Sequence, residues 1–99
     1  MSNYNFSLTL QAEQDIKDIW LYIANDSVAA AENVIENFEK AFYKLADNPN
    51  MGSKREDLTN KPVRFWIVYN YYIIYDPNTS PLQILRVISS YRNIENQLY

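Results

Sequence analysis

The chain has no cysteine and no histidine, and only one of its 99 residues is glycine. Without cysteine there is no disulfide, no thiolate nucleophile and no zinc site built on sulfur; without histidine the commonest general base and metal ligand is missing. Much ordinary enzymology is thereby excluded. There is also no nucleophile elbow, phosphate-cradling glycine loop or metal signature, and the one close carboxylate pair, Asp15 and Asp18, has a spacing usual on a solvated helix face. No metal and no cofactor is expected. The first six residues hold neither a basic nor an apolar stretch, and no apolar run approaches the roughly 20 residues that cross a bilayer, so the expectation is a cytoplasmic protein without a membrane partner. Sparse glycine, no repeat and no low-complexity run leave no linker, so residues 1–99 are read as one domain.

What is present begins with hydrophobic residues at 47%, ample for one continuous core. The formal charge of −3 conceals a division along the chain. Residues 1–50 carry three bases (Lys17, Lys40, Lys44) against eight acids, about −5, whereas residues 51–99 carry six bases against four acids, about +2. An anionic partner is therefore expected to meet the second half, and sequence-specific DNA binding is not expected of so acidic a chain.

Hydrophobic periodicity divides the chain into elements. Tyr4 to Leu10 alternates apolar and polar residues as a half-buried strand does. From Ala12 the period becomes helical: Ala12, Ile16, Ile19, Trp20 and Ile23 recur to about Ala24, with Thr9 or a neighbour as the cap. Asn25-Asp26-Ser27 forms a turn with Ser27 placed to cap a second helix, in which Ala31, Ile35, Phe38, Phe42 and Leu45 define the buried stripe. The short connection makes the two helices an antiparallel hairpin. Asn48-Pro49-Asn50 ends it, and Met51 to Lys61 reads as a polar loop. Val63 to Tyr69, Tyr71 to Asp76 and Leu82 to Ser89 are rich in β-branched and aromatic residues and read as a three-stranded antiparallel meander. The tail, with Ile94 and Leu98 four apart, is long enough for one or two helical turns over a sheet edge. The fold class is thus α+β, with both helices expected on one face of the sheet and the opposite face left open to a partner.

Two arginines interrupt these strands. Alternation puts Arg64 with Trp66 and Val68, and Arg86 with Ile84 and Ile88. A guanidinium there needs a carboxylate inside the domain, with Glu56, Asp57 and Asp76 as the candidates, or an anionic partner outside it. Tyr91 and Arg92 follow the last strand and together suit recognition of nucleic acid or an acidic protein patch, although each can equally be an ordinary surface residue. Of the nine tyrosines, Tyr69, Tyr71, Tyr72 and Tyr75 crowd into one hairpin, and alternate members must point away from the helices.

The succession Leu8-Thr9, Ala12-Glu13-x-Asp15-Ile16-x-x-Ile19-Trp20-x-Tyr22-Ile23, then Phe42-x-x-Leu45-Ala46-x-Asn48-Pro49-x-x-Gly52, then Val63-Arg64 with Tyr72-x-Ile74-Tyr75, then Ile84-x-Arg86-Val87-Ile88 and Arg92, covers nearly the whole chain. In this order and spacing it resembles the RelE/ParE superfamily of toxins from type II toxin–antitoxin pairs, and specifically its ParE branch. The resemblance implies a toxin held by a cognate antitoxin whose disordered segment folds across it. ParE-like members inhibit DNA gyrase, and Arg64, Trp66, Arg86, Tyr91 and Arg92 are then the candidates for target binding. RelE-like members cut messenger RNA on the ribosome, and for that alternative Lys54, Arg55, Arg64, Arg86, Arg92 and Tyr99 are the candidates for positioning and chemistry. Such cleavage needs clustered cations, whereas this chain is acidic and has no histidine to shuttle a proton, which favours the gyrase reading and no catalysis. Many relatives carry histidine where Ser89 stands and aspartate where Asn93 stands, so a non-toxic member that only binds its antitoxin is the second alternative.

Overall fold

The computed structural model describes residues 5–98, so Tyr4 of the expected first strand and the candidate Tyr99 lie outside the described residues. In chain order the elements are β1 (Phe6–Leu8), α1 (Leu10–Ala24), α2 (Val28–Asp47), β2 (Arg64–Val68), β3 (Tyr71–Asp76), β4 (Leu82–Ser89) and α3 (Ile94–Gln97). This is the expected α+β order. The strands form one sheet in the order β1-β4-β3-β2; β2, β3 and β4 make the antiparallel meander, while β1 joins β4 in parallel, opposite Leu82 to Ile84.

The starts of the two long helices, α1 and α2, are fixed by side-chain caps. The Thr9 hydroxyl accepts from the Ala12 N–H at 3.0 Å and donates to the Leu85 carbonyl at 2.7 Å, so one residue begins α1 and anchors it on β4. Ser27 caps α2 by accepting from Ala30 N–H. The helices then lay Ala12 and Ile19 of α1, and Phe38, Ala41, Phe42 and Leu45 of α2, against Ile73, Tyr75, Leu82, Ile84 and Val87 of the sheet. Burying a side chain such as Phe38 or Phe42 contributes about 2–3 kcal/mol, and this layer is the main core.

The opposite face is not left open as the helical pattern alone suggests. Val63, Phe65, Ile74, Ile88 and Ile94 form a second buried cluster, covered by Leu58 of the 51–62 loop and by Leu98, with Tyr72 and Leu85 at its margin. The C-terminal turn lies on that face rather than over an edge, because Ile94 and Leu98 find apolar surface there. Ile67, which alternation along β2 puts on the same face as Phe65, is left 55% exposed. The hairpin tyrosines divide accordingly: Tyr75 and Tyr71 pack on the helix side, Tyr72 on the other, and Tyr69 occupies the turn. Tyr69 has a φ of 56°, a conformation that costs a non-glycine residue about 1 kcal/mol; Asn37 and Asn33 of α2 donate to its hydroxyl at 2.9 and 3.4 Å.

A β-bulge corrects a second expectation. Tyr75 pairs with Ile84 but Ile74 pairs with Arg86, so Leu85 is an extra residue on β4 and strict alternation fails there. Ile84 packs under the helices, while Arg86 and Ile88 stand on the other side, opposite Ile74 and Tyr72.

The only glycine sits where no other residue fits. A Cβ at Gly52 would lie 2.5 Å from the Tyr75 hydroxyl and 2.9 Å from the Phe65 carbonyl. That hydroxyl accepts from the Gly52 N–H at 2.9 Å and donates to the Pro49 carbonyl at 2.7 Å, and Ser53 exchanges two backbone hydrogen bonds with Phe65. The long loop after α2 is thereby pinned to the start of β2 and to Tyr75 of β3.

Candidate functional site

Two surface grooves flank the second core, and an internal ion pair separates them in role. Asp15 of α1 and Arg86 of β4 form a bidentate pair, with Nε to Oδ2 at 2.7 Å and Nη2 to Oδ1 at 2.9 Å. Both side chains are only about 15% exposed. Beyond Ile84, β4 has no β1 partner, and the Asp15 carboxylate accepts the Val87 N–H at 3.0 Å in its place. Arg86 Nη1 donates to the Gln97 carbonyl at 2.6 Å. The carboxylate hydrogen bond raises the Arg86 pKa above its ordinary value against the opposing effect of burial.

Arg86 is therefore a clamp holding α1, β4 and α3 together, not a group presented to a target. Its partner is neither Glu56, Asp57 nor Asp76, and Asp15 is not on a solvated face. Asp15 stands three residues after Ala12 and four before Ile19, both buried, so its place within the apolar stripe was the signal available in the sequence.

The first groove, about 530 Å³, opens beside this clamp at the corner between α1 and the ends of β3 and β4. Asp18, Ile19 and Tyr22 form the α1 wall, Tyr71 and Val87 the floor, and Ser89, Tyr91 and Arg92 the rim. Ser89 shapes that rim: its Oγ accepts from the Tyr91 N–H at 3.3 Å and its carbonyl from the Arg92 N–H at 3.1 Å. Tyr91 is 86% and Tyr22 79% exposed. Burial of Tyr71 beneath them raises its hydroxyl pKa. Two open aromatic planes, a guanidinium and the Asp18 carboxylate make a surface suited to holding another macromolecule.

The second groove, about 350 Å³, lies between the 51–62 loop and the start of β2, and Lys54, Arg55, Lys61 and Arg64 line it. Arg55 forms a bidentate pair with Asp57 at 3.0 and 2.8 Å, donates to the Tyr72 hydroxyl at 3.0 Å and lies 5.8 Å from that ring's centroid. The bond from Arg55 holds the Asp57 carboxyl below the usual carboxylate range. Arg64 donates through Nη1 to the Gly52 and Asn50 carbonyls at 2.6 and 3.4 Å; its interior bonds go to backbone carbonyls, not to the carboxylates proposed for it.

The candidate residues are thus dispersed. Lys54, Arg55 and Arg64 line one groove, Arg92 and Tyr91 the other, Arg86 is internal, and Trp66 is half-buried beside Lys40 and Lys44 at the α2–β2 junction. Composition did not point to Tyr22 and Asp18, which the fold brings to Tyr91 and Arg92. Among the described residues no cluster of acidic side chains could hold a metal ion, and no helix is long and apolar enough to cross a membrane.

A family model described as "ParE toxin of type II toxin-antitoxin system, parDE" matches residues 6–94. Among solved structures, the chain is similar to one described as "Chromosomal ParDE TA system from P. aeruginosa", with a TM-score of 0.70 at 18% identity, over 85% of this chain and 92% of that one. At that identity the likeness speaks for the fold. No curated protein matches the chain.

Proposed function

Because this chain belongs to the ParE toxin family of type II toxin–antitoxin systems, we propose that it acts by binding and inhibiting DNA gyrase in the cytoplasm, and that a cognate antitoxin silences it. The observation that carries this reading is the dispersal of the cations that an RNA-cleaving relative would need together. Phosphodiester cleavage requires charge-stabilising groups converging on one phosphorane, within hydrogen-bond reach of one another's substrate atoms. Here Arg86 is consumed by Asp15 and Gln97, and Arg92 opens into a different groove from Lys54, Arg55 and Arg64. Capture of a protein asks less of the site. Exposed tyrosines with an adjacent arginine, on a rim beside an internal clamp, have the composition in which binding energy concentrates. Tyr22, Tyr91 and Arg92 are the residues assigned to target capture.

The test is supercoiling of relaxed plasmid by purified gyrase in the presence of the purified chain, run beside a translation reaction probed for cut message. Inhibited supercoiling with intact message is expected. Untouched gyrase with message cut on the ribosome would transfer the chain to the nuclease reading. Vigorous growth of cells holding high levels of the folded chain without antitoxin would instead mark a member that has lost toxicity, the reading prompted by Ser89 and Asn93.

A further inference from the structure

We propose that the corner groove between α1 and the ends of β3 and β4 recognises its target through two opposite charges, Asp18 on the α1 wall taking a basic side chain and Arg92 on the rim an acidic one. This rests on the gyrase reading and adds the chemistry of the surface that fits the corner. Asp15, Asp18, Ile19 and Tyr22 recur at helical spacing, so α1 presents a carboxylate and an aromatic ring on one wall. Arg92 arrives from the turn after β4, where the Ser89 carbonyl accepts its backbone N–H at 3.1 Å. The fold thus brings opposite charges into one groove from distant parts of the chain.

These two charges do not pair with each other. Among the described residues, ion pairs join Glu36 to Lys40, Arg55 to Asp57 and Asp15 to Arg86. Asp18 accepts only from the neutral Gln14 amide, at 2.8 Å, and the Arg92 guanidinium has no ion-pair or hydrogen-bond partner among the described residues. Both residues are exposed. Asp15 lines the same groove but is already neutralised by Arg86, so Asp18 and Arg92 are its uncompensated charges. Neither is spent inside the chain, and both are open to a partner.

The surroundings decide what meets them. Ile19, Tyr71 and Val87 give the groove an apolar floor, and Tyr22 and Tyr91 add open aromatic planes. A cation entering beside Asp18 gains from the carboxylate and from the tyrosine rings, while the planar fork of Arg92 matches a carboxylate. A nucleic-acid backbone fits poorly, since it calls for successive cations and here a carboxylate shares the groove with a single guanidinium. What fits is a protein surface carrying a lysine or arginine and an aspartate or glutamate around an apolar side chain. Such a pair sets specificity, because a surface with like charges in those places is repelled.

The experiment is biolayer interferometry of the full chain on immobilised gyrase, with supercoiling titrated in parallel. In about 0.05 M salt, Asp18→Lys and Arg92→Glu should each weaken binding at least about tenfold, with Asp18→Asn between Asp18→Lys and the wild type. In about 0.5 M salt, where exposed charges are screened, the deficit of Asp18→Lys should shrink at least about threefold, which a merely structural defect would not do. Glu39→Lys makes the same change in charge at an exposed acid of α2 outside the groove and should stay within about twofold of the wild type. Circular dichroism and Tm of every variant should match the wild type. Gyrase bound as tightly by Asp18→Lys as by the wild type overturns this proposal alone, as does a deficit that salt leaves unchanged or that Glu39→Lys shares. A wild type that leaves gyrase unbound overturns the gyrase reading and this proposal with it.

Discussion

The two faces of the sheet are closed by different means. The helix side is covered by α1 and α2, whose apolar stripes are local and periodic, and it buries Phe38, Phe42, Leu45 and Tyr75. The other side is covered by a non-helical loop and a four-residue helix, which bring Leu58, Ile94 and Leu98 over Phe65, Ile74 and Ile88. The first cover is continuous. The second is a patch; the groove of Lys54 and Arg64 opens at its border, and the corner groove lies between the two covers, with α1 as its wall and Tyr71 and Val87 of the helix side as its floor. The comparison teaches that the surfaces able to meet partners lie where an improvised cover ends, held in place by a few specific bonds: Arg86 to Asp15 and Gln97 on one side, and Tyr75 to Gly52 and Pro49 on the other.

Deleting a side chain from the continuous cover should have the largest effect. Phe38→Ala is expected to cost about 4 kcal/mol, read as a lower denaturant midpoint for the whole chain at unchanged slope. Asp15→Ala comes next, at about 3 kcal/mol, since it strands the Arg86 guanidinium and leaves the Val87 N–H without its acceptor. Adding Arg86→Met to that variant should restore part of the loss, and no recovery would show that the clamp is not what the carboxylate serves. Ile94→Ala should cost about 2 kcal/mol, with the loss of hydrogen-exchange protection concentrated in α3 and the end of β4 while α1 and α2 stay protected. Equal loss across the helices would erase the distinction between the two covers.

The smallest effect is expected at Tyr75. Burial raises its hydroxyl pKa above the ordinary 10.0, against the Gly52 N–H and Arg64, which favour the ionised form. A folded pKa above the unfolded value means that this contribution to stability is whole below about pH 10 and is lost as pH rises through the folded value. Tyr75→Phe should cost about 1 kcal/mol at neutral pH, through the orphaned Gly52 N–H, and should flatten the alkaline fall in stability of the wild type.

Element order, the helical hairpin, both N-caps and the meander were legible in the sequence because each depends on neighbours within a few residues. Thr9 and Ser27 cap α1 and α2, and of the stripe from Ala31 to Leu45 all but the partly exposed Ile35 are buried as its period requires. What was not legible depends on distance. Arg86 and Asp15 are 71 residues apart, and the bulge at Leu85 that turns Arg86 away from Ile84 leaves no trace in an alternation count. The second cover was missed for the same reason, since Leu58, Ile94 and Leu98 share no period with the strands they protect. Of the candidate site, Tyr91 and Arg92 were placed correctly at a loop end, but Tyr22 reaches them only through the packing of α1 along β4.

The central claim is that the corner of Tyr22, Tyr91 and Arg92 captures gyrase while Arg86 behind it only holds that corner in shape. Its most direct test is a supercoiling titration comparing the wild type with Tyr91→Ala/Arg92→Ala. Because both side chains are exposed, Tm should change by no more than a degree or two, while the concentration for half-inhibition should rise at least tenfold. Equal inhibition by the two proteins would contradict the account, as would a wild type that leaves gyrase active.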